Sequence, residues 1–223
     1  MPSLCPTSYA HGALSASNGY FLATDFLNFS LSEPNHSASG SGLSLAAKLA
    51  KLHTTPAPIP EGFKSPQFGF PVTTCCGSTE QPNDYSRSWA DFFANQRLRA
   101  MLQSCEERQG KDQELRELVE KTASVIVPRL LGDDHLNHGK GVMPVVVHGD
   151  LWSGNHGRGS IGKSPVEEVV YDPSSCYAHS EYELGIMRMF GGYGDAFFSE
   201  YHKLKPKDEP VDEYVDRMQL YEL

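Results

Sequence analysis

Three polar side chains that could assist the transfer of a phosphoryl group follow two short apolar runs in this sequence. Asp150 and Asn155 come just after Val145–Val147, and Asp172 comes just after residues 169–171. A carboxylate can orient a hydroxyl group and accept its proton, while an amide oxygen and a second carboxylate can hold a divalent cation against phosphates. The transfer of a phosphoryl group to an alcohol requires these residue types in this order.

The spacing of these residues matches a known loop. The segment His148-Gly-Asp150-Leu-Trp-Ser-Gly-Asn155 fits the pattern H-x-D-x-x-x-x-N of kinase catalytic loops. From composition, His, Gly, Asp and Asn at the positions of His148, Gly149, Asp150 and Asn155 occur by chance in about one in a thousand chains of this length. The alternative is that Asp150 and Asn155 only cap or close a glycine-rich turn, as both residue types commonly do. The apolar run before the loop, and the second run that ends at Asp172, favour the catalytic interpretation.

The composition excludes several classes of protein. Of the 223 residues, 39% are hydrophobic, which is enough for a core and excludes wholesale disorder. A net charge of −9 argues against a surface that binds nucleic acid or anionic lipid. No apolar run reaches the roughly 18–20 residues that span a bilayer. We therefore expect neither a nucleic-acid partner nor a membrane role.

Cysteine usage predicts the compartment. The five cysteines are scattered, none forms a C-x-x-C pair, and the first residues are neither basic nor apolar enough for a secretory signal. We therefore predict a cytoplasmic protein with free thiols. Adjacent cysteines rarely meet the Cα separation that a disulfide prefers, so we interpret Cys75 and Cys76 as buried or semi-buried thiols.

The amino-terminal half predicts a strand, a linker, a helix and a long loop. The apolar run 19–27 predicts a buried strand. Residues 30–42 have the Ser- and Gly-rich composition of a flexible linker. Leucines at helical spacing predict a helix around 45–52. Residues 54–83 contain six prolines and predict a long irregular segment of the kind that is often functional.

The remaining residues predict helices around two short strands. Apolar residues at helical spacing predict helices at 89–105 and 115–130, with Pro128 ending or kinking the second. The apolar runs 142–147 and 166–171 predict strands that are joined by a glycine-rich hairpin. Three further helices are predicted at 182–190, at 196–204 and from 211 to the last residue. The chain is thus predicted to be an α-rich α+β protein.

Four segments together resemble the fructosamine-3-kinase (ketosamine-3-kinase) family. They are His148-Gly-Asp-Leu-Trp-Ser-Gly-Asn155, Asp172-Pro-Ser-Ser-Cys-Tyr-Ala-His-Ser-Glu-Tyr-Glu-Leu184, Met189-Phe-Gly-Gly192 and Phe68-Gly-Phe-Pro-Val-Thr-Thr-Cys-Cys-Gly77. The resemblance implies a protein-kinase-like fold related to the aminoglycoside and choline phosphotransferases. It also implies phosphorylation, with ATP and Mg²⁺, of the 3-hydroxyl of ketosamines, either as small molecules or on the lysines of glycated proteins. The phosphorylated adduct is labile and leaves, which restores the lysine; many members act on ribulosamines, and only some on fructosamines.

The resemblance also assigns residue roles. It implies that Asp150 is the general base, that Asn155 and Asp172 bind Mg²⁺, and that His148 braces the catalytic loop by hydrogen bonds. The segment Thr24-Asp25-Phe26 corresponds to the hinge whose backbone receives adenine. Trp152 would lie beside the sugar, where an aromatic face can cover C–H surface; the alternative is that its ring packs between the loop and a helix.

Two further family residues are His179 and Glu181, to which we assign a structural role in holding the metal loop onto the next helix. The resemblance divides the chain into residues 1–27, a remnant of the amino-terminal lobe with the hinge, and residues 28–223, the helical carboxyl-terminal lobe. The second part contains the catalytic loop (148–155) and the metal loop (172–177).

A kinase amino-terminal lobe carries a glycine-rich loop and a lysine that contact the triphosphate. Neither occurs before Thr24, and the last helix stops in mid-pattern, so we expect a chain truncated at both ends relative to the family. Two alternatives to a working ketosamine kinase therefore stay open. The chain could be a catalytically incompetent kinase lobe that at most binds a partner. It could also be an aminoglycoside- or choline-type phosphotransferase, although residues 63–77 lack the carboxylates or aromatic cage of those acceptor sites.

Overall fold

The computed structural model describes residues 4–15, 17–29 and 42–223. The predicted linker at 30–42 lies, except for Gly42, outside the described residues. The strands in the described ranges are β1 (Ser8–Ala13), β2 (Tyr20–Thr24), β3 (Leu27–Phe29), β4 (Thr74–Cys76), β5 (Thr79–Gln81), β6 (Val145–Val147), β7 (His156–Ile161), β8 (Glu167–Val170) and β9 (Cys176–Ala178). The helices there are α1 (Leu45–His53), α2 (89–109), α3 (113–131), α4 (Ser180–Met189), α5 (Asp195–Leu204) and α6 (Tyr214–Tyr221).

The two amino-terminal strands form an exposed ribbon. β1 and β2 pair antiparallel, with Ala13 opposite Tyr20 and His11 opposite Leu22. All five residues of β2 are exposed. The prediction at 19–27 is therefore confirmed for the strand but wrong about its burial. A two-stranded ribbon leaves its faces open to solvent unless another layer packs on it, whatever the apolar content of its sequence.

Two small antiparallel sheets position the loops that follow β6 and β8. β6 pairs with β9, and a second sheet has the strand order β3-β7-β8. The predicted strands at 142–147 and 166–171 are confirmed as β6 and β8, and the glycine-rich stretch between them contains the predicted hairpin. The backbone N–H of Tyr171 donates to the carbonyl of Asn155 over 3.1 Å. The chain segments that leave β6 and β8 therefore lie side by side.

The predicted helices are confirmed, with shifts at their ends. α1 begins with Ser44 as N-cap, whose hydroxyl accepts from the Ala47 N–H. α2 and α3 each contain a π-helical part, at Phe93–Arg99 and at Thr122–Ile126. The second of these directly precedes Val127–Leu131, the last helical turn, which contains Pro128. Since proline has no N–H to continue the hydrogen-bond ladder, the irregularity falls where the sequence predicts it.

Trp89, at the start of α2, joins the helices to the long loop. Its ring centroid lies 5.4 Å from that of Phe68 in the loop and 5.5 Å from that of Tyr182 on α4. Its indole N–H donates to the Tyr221 hydroxyl over 2.6 Å, which fixes α6 against the same core. The prediction of an irregular segment at 54–83 is confirmed except for the short hairpin β4–β5. None of the helices in the described ranges is long and apolar enough to cross a bilayer.

Candidate active site

A glycine brings the catalytic loop against the metal loop. Gly149 has a φ of +82°, and a Cβ built on it would lie 2.0 Å from the carbonyl oxygen of Ser174. No side chain fits that space, and L-residues rarely adopt that backbone conformation. The backbones of the two loops therefore approach as closely as they do because the residue after His148 is glycine.

Asn155 connects the three residues singled out in the sequence. Its Nδ2 donates to the carbonyl of Asp150 at 2.9 Å and to Oδ2 of the same residue at 3.1 Å. The same atom lies 3.4 Å from the carbonyl oxygen of Asp172. Because the amide N–H groups are used in this way, Oδ1 of Asn155 is the atom left to bind a cation. Asp150, Asn155 and Asp172 thus lie in one place.

Asp172 has a strained backbone. Its φ of +58° lies in the left-handed region, which is uncommon for residues other than glycine. The preceding Tyr171 is fixed on two sides, since its hydroxyl donates to the Gly154 carbonyl at 2.8 Å and its own carbonyl lies 2.9 Å from Nε2 of His148. Backbone strain that is held by such neighbours is typical of functional positions.

The electrostatics around Asp150 suit a proton acceptor. Burial is the largest influence on this carboxyl and raises its pKa above the usual value. The Asp172 carboxylate acts in the same direction, whereas the Cys76 thiol opposes it by hydrogen bonding. A general base works best when its pKa moves toward the working pH, so this shift favours proton transfer from a hydroxyl.

The ligand atoms in the site fit Mg²⁺. The Asp172 carboxylate and Oδ1 of Asn155 are hard oxygen donors, which Mg²⁺ prefers, and neither sulfur nor imidazole is needed. The Asp172 carboxylate is close enough to Asp150 to raise the pKa of that carboxyl. A divalent cation at this point would relieve their repulsion.

Glu183, on α4, holds the backbone of the catalytic loop. The buried carboxylate accepts from the backbone N–H of Gly149 at 3.0 Å and from that of His148. Nε2 of His53 lies 3.9 Å from the same carboxylate. Burial acts to raise the pKa of Glu183, but the two histidines outweigh it and bring the pKa below its usual value. Sequence reasoning gave no role to Glu183. The feature that could have pointed to it is an acidic residue beside Leu184 on the apolar face of a helix, because a buried carboxylate needs partners.

Both ring nitrogens of His148 have backbone partners. Besides its contact with Tyr171, its Nδ1 accepts from the backbone N–H of Asp150 at 3.3 Å. Trp152 is 40% exposed. One side of its ring covers Gly154, where an added Cβ would lie 2.1 Å from the ring, and its centroid is 6.0 Å from that of Phe190. The ring is therefore packed on one side and accessible on another.

One residue of the predicted hinge borders a cavity next to the metal loop. The cavity has a volume of about 530 Å³, and its lining includes Thr24, Leu151 and Asp172. Asp25 instead closes the base of the ribbon, because its carboxylate accepts from the Thr7 N–H at 3.0 Å. Phe26 is 77% exposed. Of the three hinge residues, the structure brings only Thr24 to the cavity.

A second cluster of ligand-type atoms is structural. His179, Glu181 and Asp208 offer atoms within 4.8 Å of one another. Arg217 already donates to Glu181 at 2.7 Å, and Nε2 of His179 lies 3.0 Å from Asp208. The structural role predicted for His179 and Glu181 is therefore correct, but they attach α4 to the segment 208–217 rather than the metal loop to the next helix. The prediction that they attach the metal loop to the next helix is wrong, because their partners Asp208 and Arg217 lie much further along the chain.

The vicinal cysteines differ in exposure. Cys75 is exposed and Cys76 is partly buried, and both are free. The prediction of buried or semi-buried thiols is thus correct for Cys76 and wrong for Cys75. Successive residues of a strand point to opposite faces, so on β4 only one of the two can face the protein.

Comparison with known proteins decides the family. The model of the family described as fructosamine kinase matches residues 2–223. The chain belongs to the fructosamine kinase family. The resemblance seen in the sequence is therefore confirmed, and it covers almost the whole chain.

Three curated relatives show how far the similarity extends. The ketosamine-3-kinase of Mus musculus is 40% identical over 70% of this chain and 46% of its own length. A probable ketoamine kinase of Synechocystis sp. is 35% identical over 98% of this chain and 63% of its own length. The chloroplastic protein-ribulosamine 3-kinase of Oryza sativa subsp. indica is 32% identical over 97% and 56%. The chain spans less than two thirds of the length of each of these relatives.

Solved structures share the mixed α/β fold. A candidate fructosamine-3-kinase from Haemophilus somnus superposes with a TM-score of 0.71 at 26% identity, over 99% of this chain and 64% of that one. A second one, from Thermobifida fusca, has a TM-score of 0.69 at 23% identity, over 100% of this chain and 66% of that one, and supports the fold.

Proposed function

We propose that this chain carries the catalytic centre of a kinase that uses ATP to phosphorylate the 3-hydroxyl of ketosamines. The acceptors are ribulosamines, and fructosamines as a further class, on the lysines of glycated proteins or as small molecules. The observation that carries the proposal is the convergence of Asp150, Asn155 and Asp172. The side-chain Nδ2 of Asn155 contacts oxygen atoms of both aspartates at distances of up to 3.4 Å. It occurs in a family whose curated relatives are named as ketosamine and ribulosamine 3-kinases.

Each residue has a role that its contacts support. Asp150 orients the acceptor hydroxyl and takes its proton, because burial has already raised the pKa of this carboxyl. Asn155 holds Asp150 through its Nδ2 and offers Oδ1 to Mg²⁺, with Asp172 as the second ligand. Mg²⁺, when bound, supplies the positive charge that phosphoryl transfer requires. His148 and Glu183 keep the loop backbone in place.

The nucleotide and the sugar occupy opposite sides of this centre in the proposal. The cavity beside Thr24 is of a size that suits a small ligand, and its mostly apolar lining suits adenine. We assign residues 1–27 to the end of an amino-terminal lobe and residues 28–223 to a kinase carboxyl-terminal lobe. The accessible part of Trp152 covers the sugar. The free cysteines support our proposal of a cytoplasmic location.

The test is Mg²⁺-dependent phosphorylation of ribulosyl-lysine by the purified chain, followed by mass spectrometry of the product. We expect Asp150→Asn to lower kcat by about 10²- to 10⁴-fold, because it removes the proton acceptor but keeps the shape. Asp84→Asn is the matched control, because Asp84 is exposed outside the two loops. Equal turnover by Asp150→Asn and wild type would refute the assignment.

The same assay separates the alternatives. A panel of ribulosyl-lysine, fructosyl-lysine, kanamycin and choline distinguishes ketosamine kinases from aminoglycoside- and choline-type enzymes. A chain that binds ATP with Mg²⁺ but phosphorylates none of the four is a catalytically incompetent lobe.

A further inference from the structure

Two exposed aromatic rings lie next to each other beside the catalytic loop. Phe190 directly follows α4 and is 61% exposed, and Trp152 of the loop is 40% exposed. Their ring centroids are 6.0 Å apart, and their planes meet at 53°. Large apolar side chains that reach solvent side by side are characteristic of binding sites. We call this pair of tilted rings the aromatic cleft.

The backbone behind the aromatic cleft is held in place. Gly192 packs so closely on the catalytic loop that an added Cβ would lie 2.4 Å from the Cβ of Ser153. The Tyr193 hydroxyl donates to the carbonyl of Trp152 at 3.4 Å, and the centroid of the Tyr193 ring lies 5.1 Å from that of Phe197 on α5. The segment that follows α4 is therefore fitted to the catalytic loop, and the two rings extend from backbone segments that pack together.

In the part of the chain that the structure describes, neither ring of the aromatic cleft has an arginine or lysine over its face. The contacts of this kind that occur there are made with Phe92, Phe198 and Tyr214. The face of an aromatic ring carries negative charge density and attracts cations. The Asp150 carboxylate on the same loop favours a cation further. The aromatic cleft therefore suits a cationic group of a ligand.

A ketosamine carries such a cation next to the hydroxyl that reacts. Its nitrogen is a secondary amine, which is protonated at neutral pH. Four covalent bonds separate this nitrogen from the oxygen on C3, so the two atoms lie within about 5 Å of each other. Asp150 and Trp152 are two residues apart, so their Cα atoms are separated by at most about 7 Å. An acceptor whose 3-hydroxyl meets Asp150 thus brings its ammonium group within reach of the aromatic cleft.

We propose that Phe190 is a substrate-binding residue for the proposed ketosamine kinase reaction, and that Phe190 and Trp152 together bind the secondary ammonium group of the acceptor. The inference rests on the proposed function, because it takes Asp150 as the group that meets the 3-hydroxyl. The carbon chain of the sugar lies against Trp152, and Phe190 recognises the charge next to C1. The aromatic cleft in this way distinguishes a ketosamine from a free ketose, which has the same hydroxyl but no charge.

Two acceptors that differ in one group test this recognition of charge. N-butylribulosamine carries the ammonium group, whereas 1-O-butylribulose has an ether oxygen in its place. Phe190→Leu keeps an apolar side chain without an aromatic face, so we expect it to raise the KM of the amine about three- to thirtyfold. The KM of the ether, and kcat with either acceptor, should change by less than about twofold.

Two further variants serve as controls for Phe190→Leu. Phe190→Tyr keeps the aromatic face and should keep the KM of the amine close to that of wild type. Tyr20→Leu removes an aromatic ring that is equally accessible to solvent but lies on the ribbon, and it should leave the KM of both acceptors unchanged.

A second measurement needs no turnover. The chain has two tryptophans, and Trp89 is fully buried, so acrylamide selectively quenches the fluorescence of Trp152. We expect saturating N-butylribulosamine to lower this quenching at least about twofold, at a concentration that rises about three- to thirtyfold in Phe190→Leu. With wild type, 1-O-butylribulose should require a higher concentration than the amine does.

The outcomes separate this inference from the proposed function. Turnover by wild type, with equal KM shifts for amine and ether or with no shift in Phe190→Leu, overturns the inference and leaves the function standing. Protection of Trp152 that requires the amine, without turnover, supports the aromatic cleft and refutes kinase activity of this chain. Neither turnover nor protection overturns both. If Phe190→Leu does not fold, the wild-type comparison decides, because equal protection by amine and ether overturns the inference.

Discussion

The catalytic loop and the amino-terminal ribbon differ in how fully their neighbours fix them. β6 is apolar and buried between β9, α1 and α4, and the loop after it has backbone N–H groups bonded to Glu183. β2 is equally apolar, yet Tyr20 is 83% exposed and Leu22 is 67% exposed. Burial is therefore set by the layers that pack on a strand, and apolar sequence is only a requirement for it. Matched substitutions in the two regions should differ accordingly.

The largest difference is expected for a single added methyl group. Gly149→Ala places a Cβ 2.0 Å from the Ser174 carbonyl at a positive φ. We expect it to lower the free energy of unfolding by at least about 3 kcal/mol, or to prevent folding. Urea unfolding followed by far-UV circular dichroism measures it.

The matched change in the ribbon is Gly12→Ala, whose Cβ would lie 3.1 Å from the Phe21 ring. That ring lies on an exposed strand and can move, so we expect a change within about 1 kcal/mol. Equal stabilities of the two variants would contradict the close approach of the two loops.

The next largest effect is expected at the buried carboxylate. Glu183→Gln keeps the size of the side chain but replaces one acceptor oxygen with an NH₂ group, so a buried backbone N–H at His148 or Gly149 loses its partner. We expect a loss of about 2–4 kcal/mol in the free energy of unfolding, measured by urea titration at pH 7. In the ribbon, Asp25→Asn changes a carboxylate with similar bonds that solvent reaches. Asp25→Asn should lower the free energy of unfolding by clearly less. A loss as large as that of Glu183→Gln would contradict the expected difference between the catalytic loop and the ribbon.

The sequence predicts the local parts of the site well. The catalytic loop, the strands on both sides of it and Asp172 follow from short patterns whose residues are close along the chain. Helix positions follow from apolar spacing for the same reason. Asp172 and Asn155 come together because Asn155 directly precedes β7, Asp172 closely follows β8, and these two strands pair antiparallel.

The contributions that the sequence does not predict depend on distant segments. Glu183 reaches the loop from α4, and Gln81 reaches Ser174 of the metal loop from a hairpin inside a proline-rich segment with no periodic pattern. The burial of β2 was predicted wrongly because local hydrophobicity contains no information on whether a second layer covers a strand. Residue patterns thus locate Asp150, Asn155 and Asp172, whereas the residues that hold them can be found only from the fold.

A pH experiment compares a buried residue near the catalytic loop with an exposed residue of the ribbon, and the expected effect is smaller. Burial lowers the pKa of His53 below the value of 6.5 of a free side chain. The unfolded chain therefore binds a proton at this ring at a pH where the folded chain does not, so stability is full above pH 6.5 and falls as the pH is lowered below it. His53→Gln should reduce the loss of stability between pH 7 and pH 5.

The control is His11→Gln, an exchange at an exposed position of the ribbon, and between pH 7 and pH 5 this variant should lose more stability than His53→Gln does. His202, whose pKa burial also lowers, is present in all three proteins and cancels in the comparison. An unchanged slope in His53→Gln would mean that this ring is hydrated in the folded protein.

The smallest effect is expected where the ribbon is most exposed. Tyr20→Thr removes a large aromatic ring but keeps a residue that favours strands, and since the ring is 83% exposed we expect a change within about 0.5 kcal/mol in the free energy of unfolding. The same new residue at β6, Val147→Thr, buries a hydroxyl without a partner and should cost about 1–3 kcal/mol. Urea unfolding of both variants gives the difference directly. A loss at Tyr20 as large as that at Val147 would show that another layer covers this face of the ribbon, because only burial gives a side chain on a two-stranded sheet that much influence on stability.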